Sequence, residues 1–262
     1  MTDPVLIDHD KSSNVTTITL NRPEAMNSLT DVAKVLLRDA LADAAADPAV
    51  RAVVLTGTGR GFCVGQDLVE HLASLEHGPV SDTVEEHFNP MVRSIVNMPK
   101  PVIAAINGTA AGAGLSLALA ADFRISVDSA KFTTAFANIA LSCDTGISWT
   151  LPRIVGRAHA LDLLLTSRVI DSAEALRIGL VNQVVSQDQF ADAVSSFANQ
   201  LGTGPTFAIG SIKSAVNFGE AADLDAALDF EASKMGPTGK TNDHDAAVKA
   251  FLAKEKPTFT GN

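Results

Sequence analysis

The sequence is short of three things. It has only two cysteines, Cys63 and Cys143, in 262 residues; one pair makes neither a disulfide framework nor a zinc site. It lacks an excess of positive charge: 20 lysines and arginines stand against 30 aspartates and glutamates, a formal net charge of −10. That excludes a general nucleic-acid-binding role, which needs a cationic footprint, although local basic groups remain free to hold a phosphorylated ligand. It also lacks a long apolar run. The longest, residues 115–121, ends at Asp122, well short of the roughly 20 residues that span a bilayer. The N-terminus, MTDPVLIDHD, shows no basic segment followed by an apolar one, so no signal peptide and a cytoplasmic location are expected.

What is present is core-forming. The chain is 46% hydrophobic and 19% charged, enough for one large domain or a core with an appendage. VTTITLN (residues 15–21) alternates as a strand does and stops at Arg22-Pro23. TDVAKVLLRDALADAAAD (30–47) has apolar residues at helical spacing with Thr30 as N-cap. RAVVLTG (51–57), PVIAAIN (101–107) and FRISV (123–127) read as further strands. A helix with a capping-box pattern at Ser172-Ala173-Glu174-Ala175 precedes a strand, LVNQVV (180–185), and from Asp188 the chain reads as almost wholly helical. Strands alternating with helices, then helices alone, make an α/β pattern.

Two glycine-rich stretches follow strands and lead into helices: GTGRGFCVGQDL (57–68) and NGTAAGAGLSLALA (107–120). Such turns present free amides at the positive end of a helix and so suit an anion. One reading of the second stretch is a dinucleotide pyrophosphate site, with Asp128, about twenty residues on, as the ribose-binding acid. Leu117 in the third glycine position and the shortness of the helix count against it, and a purely structural turn is another reading. A pair of loops favours a further one: amides from both converge on a single oxygen, the way enzymes stabilise a carbonyl-derived oxyanion.

Four ordered blocks, NRPEAMNSL (21–29), GFCVGQDL (61–68), PKPVIAAINGTAAGAGLSLALAADFRIS (99–126) and LPRIVGRAHALDLLLTSRVIDSAEALRIGLVNQVV (151–185), resemble the landmarks of the enoyl-CoA hydratase/isomerase (crotonase) superfamily over nearly the whole chain. Within it, GRGFCVGQDL (59–68), HFNPMVRSIVNMPKPV (87–102) and the ending KPTFTGN (256–262) are most similar to isomerases of ring-opened aromatic acyl-CoA thioesters from phenylacetate breakdown. The resemblance implies a crotonase-type α/β spiral of strand–strand–helix units over residues 1–187, which carries the CoA-thioester site. It implies a helical oligomerisation region over residues 188–262 and assembly as a homotrimer or dimer of trimers. The implied partner is an acyl-CoA thioester; CoA is part of the substrate, and no cofactor, metal, nucleic acid or membrane is called for.

The resemblance gives each loop a role. The thioester carbonyl is held by the backbone N–H groups at the positions of Gln66 and Ala113, so the anion is an enolate oxygen. Gly112 and Gly114 let the chain pass close to the thioester, and Gly65 and Phe136 are counted with the substrate contacts. The two glutamates of the family's hydratases match Ser116 and Phe136, which cannot act as carboxylate acid or base, whereas adding water calls for both. Asp144, in LSCDTGISW, matches an aspartate that shuttles a proton between carbons in related isomerases, where one base is enough. From the residues alone it also reads as the N-cap of a following helix. Phe136, Ile139 and Trp149 are its expected apolar neighbours, which raise a carboxyl pKa.

The family's aromatic acyl-CoA dehalogenases use an aspartate at this position as nucleophile, with a histidine and a tryptophan whose matches here are Asn89 and Phe136. His87 is two residues off, on another helix face, and stays a second candidate. Arg22 matches a position near the nucleotide part of CoA, Lys254 a lysine that reaches the CoA of an adjacent subunit; each also reads as a solvated cation. Asp67 orders the first loop. Cys63 and Cys143, the latter beside Asp144, read as packing residues. His9, His71, His77, His159 and His244 have no metal-ligand spacing and read as surface residues. In the family the segment matching residues 71–88 varies and shapes the acyl pocket. The expected reaction is double-bond isomerisation of an unsaturated acyl-CoA; a hydratase, hydrolase or dehalogenase on the same scaffold, and a non-catalytic CoA-thioester binder, are the alternatives.

Overall fold

β1 (Val5–Asp10) runs antiparallel to β2 (Val15–Leu20), with Val5 opposite Leu20 and Asp10 opposite Val15. The coordinates form a computed structural model that describes residues 3–75, 79 and 81–262; His77 lies outside the described residues. In β1 only Val5 is buried, so no apolar alternation marks this strand in the sequence.

From β2 the chain winds as a spiral. Each turn lays one strand in a large sheet, a short strand in a small sheet and a helix outside them. After α1 (Asp31–Ala46) come β3 (Ala52–Gly57), β4 (Gly61–Cys63) and α2 (Leu68–Ser74). A single turn, α3 (Ser81–Thr83), widens through a π turn at Val84–Phe88 into α4 (Asn89–Asn97). The next unit is β5 (Val102–Ile106), β6 (Thr109–Ala111) and α5 (Gly112–Ala120); then β7 (Phe123–Val127), β8 (Lys131–Thr133) and α6 (Ile147–Thr166). β9 (Ile170–Asp171), α7 (Ser172–Arg177) and β10 (Gln183–Val185) close the spiral. The large sheet has the order β1-β2-β3-β5-β7-β10 and the small one β4-β6-β8-β9. Beyond the β1–β2 hairpin the large sheet is parallel. Helices cover a parallel sheet on both faces, and every residue of β5 is accordingly buried.

Local chemistry sets the helix ends. Thr30 caps α1 as expected, accepting from the Ala33 N–H at 3.3 Å. The cap of α7 is Asp171, which accepts from the Glu174 N–H at 2.9 Å. The expected Ser172 box is therefore one residue off: Ser172 lies inside the helix and donates to the Asp128 carbonyl. Of the expected strand 180–185, only Gln183–Val185 pairs, with β7.

The chain then continues as α8 (Phe190–Gly202), α9 (Thr206–Gly219), α10 (Leu224–Thr238) and α11 (Asn242–Ala253). α8 lies on the large sheet, where Phe197 meets the edge of Phe123 at 4.9 Å between ring centroids. α9 is tied down by Lys213, whose ammonium donates to Asp122 and to the Ile95 carbonyl, both at 2.8 Å. After Ala253 the tail folds back without helix. Thr260 and Gly261 donate their amides to the Asp243 carboxylate at 2.6 and 2.8 Å, and Arg51 donates to the Phe259 carbonyl. Among the described residues no helix is long and apolar enough to cross a membrane.

Candidate active site

The two glycine loops leave the small sheet side by side. β4 and β6 pair in parallel, Gly61 opposite Thr109 and Cys63 opposite Ala110, and each strand ends at its loop. The loops then press together. Gly65 has φ +88°, and a Cβ on it would stand 3.1 Å from the Ala113 nitrogen; a Cβ on Gly114 would overlap the Cys63 carbonyl. Neither position tolerates a side chain while the loops stay in contact. Gly112, at φ +51°, opens α5 and has no such close neighbour. On the other side Leu29 grips the first loop: its N–H donates to the Gly65 carbonyl at 2.8 Å, and its carbonyl accepts from Asp67 N–H at 3.0 Å.

This leaves the Gln66 N–H with no acceptor among the described residues. Ala113 is the second residue of α5, where a helix offers its amide no acceptor of its own. Gln66 and Ala113 line one cavity of about 120 Å³. The dinucleotide reading falls at the same point. β6, in the other sheet, stands between β5 and α5; Gly108 is packed on the Arg60 carbonyl, and Asp128 is exposed beyond β7 with its N–H on the Val185 carbonyl.

The rest of the cavity wall is mostly apolar: Leu68, Phe88, Phe136, Ile139 and Leu141, with Asp144 among them. Burial pushes the Asp144 carboxyl above its ordinary value, and the Thr145 hydroxyl, donating to Oδ1 at 2.6 Å, pulls part of the way back. Asp144 is not an N-cap. α6 is entered through Gly146 at φ +73°, with no side-chain cap bond. Trp149 does not line the cavity: it is exposed, with the Arg153 guanidinium 4.3 Å over its ring. Position 149 lies on the first turn of α6, and Phe88 and Leu141 join the expected Phe136 and Ile139 in the apolar lining around Asp144. Of the positions matching the hydratase glutamates, Ser116 is buried and donates to the Gly112 carbonyl at 3.0 Å, while Phe136 opens a tight turn on the cavity wall.

Among the described residues lining the cavity, Asp144 is the one carboxylate and His71 the one imidazole. His71, expected at the surface, is thus a site residue that sequence reasoning missed. Its Nδ1 lies 3.5 Å from the Gln66 side-chain amide. The signal was there: α2 begins at Leu68, and Leu68 and His71 are three apart on one helix face.

Asp67 orders the loop as expected. Oδ1 accepts from the Val69 and Glu70 amides at the start of α2, and Oδ2 accepts from Ser28 Oγ at 2.9 Å and Arg22 at 3.0 Å. Burial raises its carboxyl pKa, but Arg22, Ser28 and the two amides outweigh that and hold it below the ordinary range. Arg22 is a half-buried strut rather than a solvated cation, its Nη1 also donating to the Ser28 carbonyl at 2.6 Å. Lys254 ends α11 at φ +59°, exposed and outside the cavity lining. His87 also lies outside it. Its Nδ1 is buried without a partner among the described residues, and burial, then Lys34 and Arg38 of α1, lower its pKa. Asn89 starts α4 outside the cavity lining. Cys63 is fully buried, its thiol pushed up to about 12 by burial; Cys143 packs against the core.

Comparison with known proteins agrees with this fold. The family model for enoyl-CoA hydratase/isomerase matches residues 10–262. The chain is 44% identical over 250 residues to 1,2-epoxyphenylacetyl-CoA isomerase of Escherichia coli, a match covering 94% of this chain and 95% of that protein. It is 35% identical over 253 residues to crotonyl-CoA hydratase of Syntrophomonas wolfei, covering 95% and 96%. A crystal structure from Mycobacterium abscessus, described in the same enoyl-CoA hydratase/isomerase terms, superposes with a TM-score of 0.94 at 44% identity, covering 98% of this chain and 100% of that one.

Proposed function

The chain belongs to the enoyl-CoA hydratase/isomerase family, and on that premise we propose that it moves a double bond within an unsaturated acyl-CoA thioester. The thioester carbonyl accepts from the Gln66 and Ala113 amides. Asp144 takes a proton from one carbon, the negative charge spreads onto the thioester oxygen facing the two amides, and Asp144 returns the proton to a different carbon. One C–H bond breaks and another forms, so mass is unchanged and one base is enough. The carrying observation is that Asp144 is the single carboxylate among the described cavity-lining residues, while both hydratase glutamate positions hold Ser116 and Phe136. A carboxyl pKa raised by burial suits a base that must also give its proton back.

Gly65, Gly112, Gly114 and Phe136 frame the thioester. Arg22, with Nε and Nη2 unused among the described residues, meets the phosphates of CoA. Lys254 does the same for a neighbouring subunit's CoA in a trimer or dimer of trimers. The route draws on the chain's own groups and on a substrate that carries the CoA. An acyl-CoA derived from an aromatic acid is the substrate class suggested by the name of the E. coli relative, and a straight-chain 3-enoyl-CoA is the simplest probe of double-bond migration.

The test mixes the protein and its Asp144→Asn variant with a 3-enoyl-CoA in heavy water and follows the acyl chain by mass and NMR. The expected result is migration of the double bond without gain of water, slowed about 100-fold or more in the variant. Gain of one water by the wild type makes it a hydratase like its S. wolfei relative. CoA-thioester binding with no turnover of either acyl class makes it a binder.

A further inference from the structure

Asp144 is followed by a backbone feature that the reaction scheme does not use. Thr145 has φ +53° and Gly146 φ +73°, and the Ile147 N–H donates to the Asp144 carbonyl at 3.2 Å. These four residues form a tight turn with both central residues left-handed, the conformation of a type I′ turn. Such turns take Asn, Asp or Gly at their first central position; a β-branched residue there is an outlier and is strained. Gly146 meets that demand, and Thr145 does not. Thr145 is also buried, 1% exposed, so its hydroxyl must find a partner in the protein. The partner is Asp144 Oδ1, at 2.6 Å. Oδ2 of the same carboxylate has no donor among the described residues.

We propose that Thr145 is a positioning residue for the proton-carrying carboxylate: its hydroxyl, fixed by the left-handed turn, occupies Oδ1 of Asp144 and leaves Oδ2 as the oxygen that meets the acyl chain. This rests on the reading of Asp144 as the proton carrier. A carboxylate with both oxygens free rotates about its side-chain bonds and presents either one. Here one is taken, so the plane of the group and its reactive oxygen are set before substrate arrives. The same bond favours the charged form and opposes the effect of burial. Of the other groups near Asp144, His71 faces the cavity from α2, Cys143 precedes Asp144 in the chain, and α4 backs Gly146 through the apolar Val92.

The test is the pH dependence of isomerisation, with the Asp144 carboxyl carbon followed by NMR titration in the unliganded protein. Thr145→Val keeps the shape and the strain but removes the donor. Its carboxyl pKa and the acid limb of its kcat profile are expected to move to higher pH by on the order of one unit, given the worth of a hydrogen bond to a charged group, with kcat down several-fold and KM little changed. Thr145→Ser, which restores the donor, is expected to bring both back towards wild type. Thr145→Ala gives the same comparison against Ser if Val does not fold. Titration and kcat in Val or Ala that match wild type overturn the proposal. Full activity in Asp144→Asn overturns the reading it rests on, whatever Thr145 does, so the two failures are distinct.

Discussion

At the scale of single residues, Asp144 is held between two demands. It must be ionised to take a proton, and its burial raises the cost of that ionisation. The rate of the base-dependent step is therefore expected to fall as pH drops through a pKa above the ordinary 3.8, which a kcat–pH profile reads directly. Stability follows the opposite sign. A carboxyl whose folded pKa lies above its unfolded value favours the folded state only at low pH, and that contribution is lost as pH rises through the folded pKa. Asp144→Asn is thus expected to be inactive yet to melt on the order of 2 °C higher at pH 7 by calorimetry. Gly114→Ala drives a Cβ into the Cys63 carbonyl and separates the loops; kcat/KM is expected to fall by about 10²–10³, the worth of one oxyanion-hole donor. Backbone amides carry no letter of their own. The glycines and the family resemblance pointed to Gln66 and Ala113, whereas which side chains faced the cavity had to await the fold. Hence Trp149 was misplaced and His71 missed.

At the scale of elements, short strands are the least legible part of the chain. β4, β6 and β8 have three residues each, too few to show a period of two, yet the pairing of β4 with β6 is what sets the two loops together. The longer parallel strands and α1 were plain from their apolar patterns, because burial on both faces or on one stripe leaves a repeating trace. The ties between helices leave no such trace. Lys213 of α9 reaches Asp122, which also accepts the Val102 N–H at 2.7 Å. Both groups are shielded enough to shift: burial raises Asp122 and lowers Lys213, each partly offset by the other. Removing one partner leaves the other charge buried. Lys213→Met is expected to cost about 3 kcal/mol in urea unfolding, and pairing it with Asp122→Asn is expected to recover part of that loss.

At the scale of the whole molecule, the helices after the spiral carry an uncovered apolar surface. None of the residues of α10 is buried; Leu224 and Met235 on it, and Phe251 and Leu252 on α11, are more than two-thirds exposed. A lone subunit with so much apolar area facing water is poorly soluble. We expect sedimentation or light scattering to find a trimer or a multiple of it, and the double change Phe251→Asp and Leu252→Asp to yield smaller species. The spiral has one more consequence. The two amides come from successive turns of one winding, and neighbouring strands in any sheet stand about 4.8 Å apart. The spacing of β4 and β6, from which the two loops leave, is thus the pitch of a screw, fixed by peptide geometry rather than by any side chain. Helix α2, which follows the first loop, hangs from one thread of that screw and can change character while the pitch stays put. On the proposed reading, new acyl groups are accommodated beside that helix while the loops that hold the thioester keep the spacing of their strands.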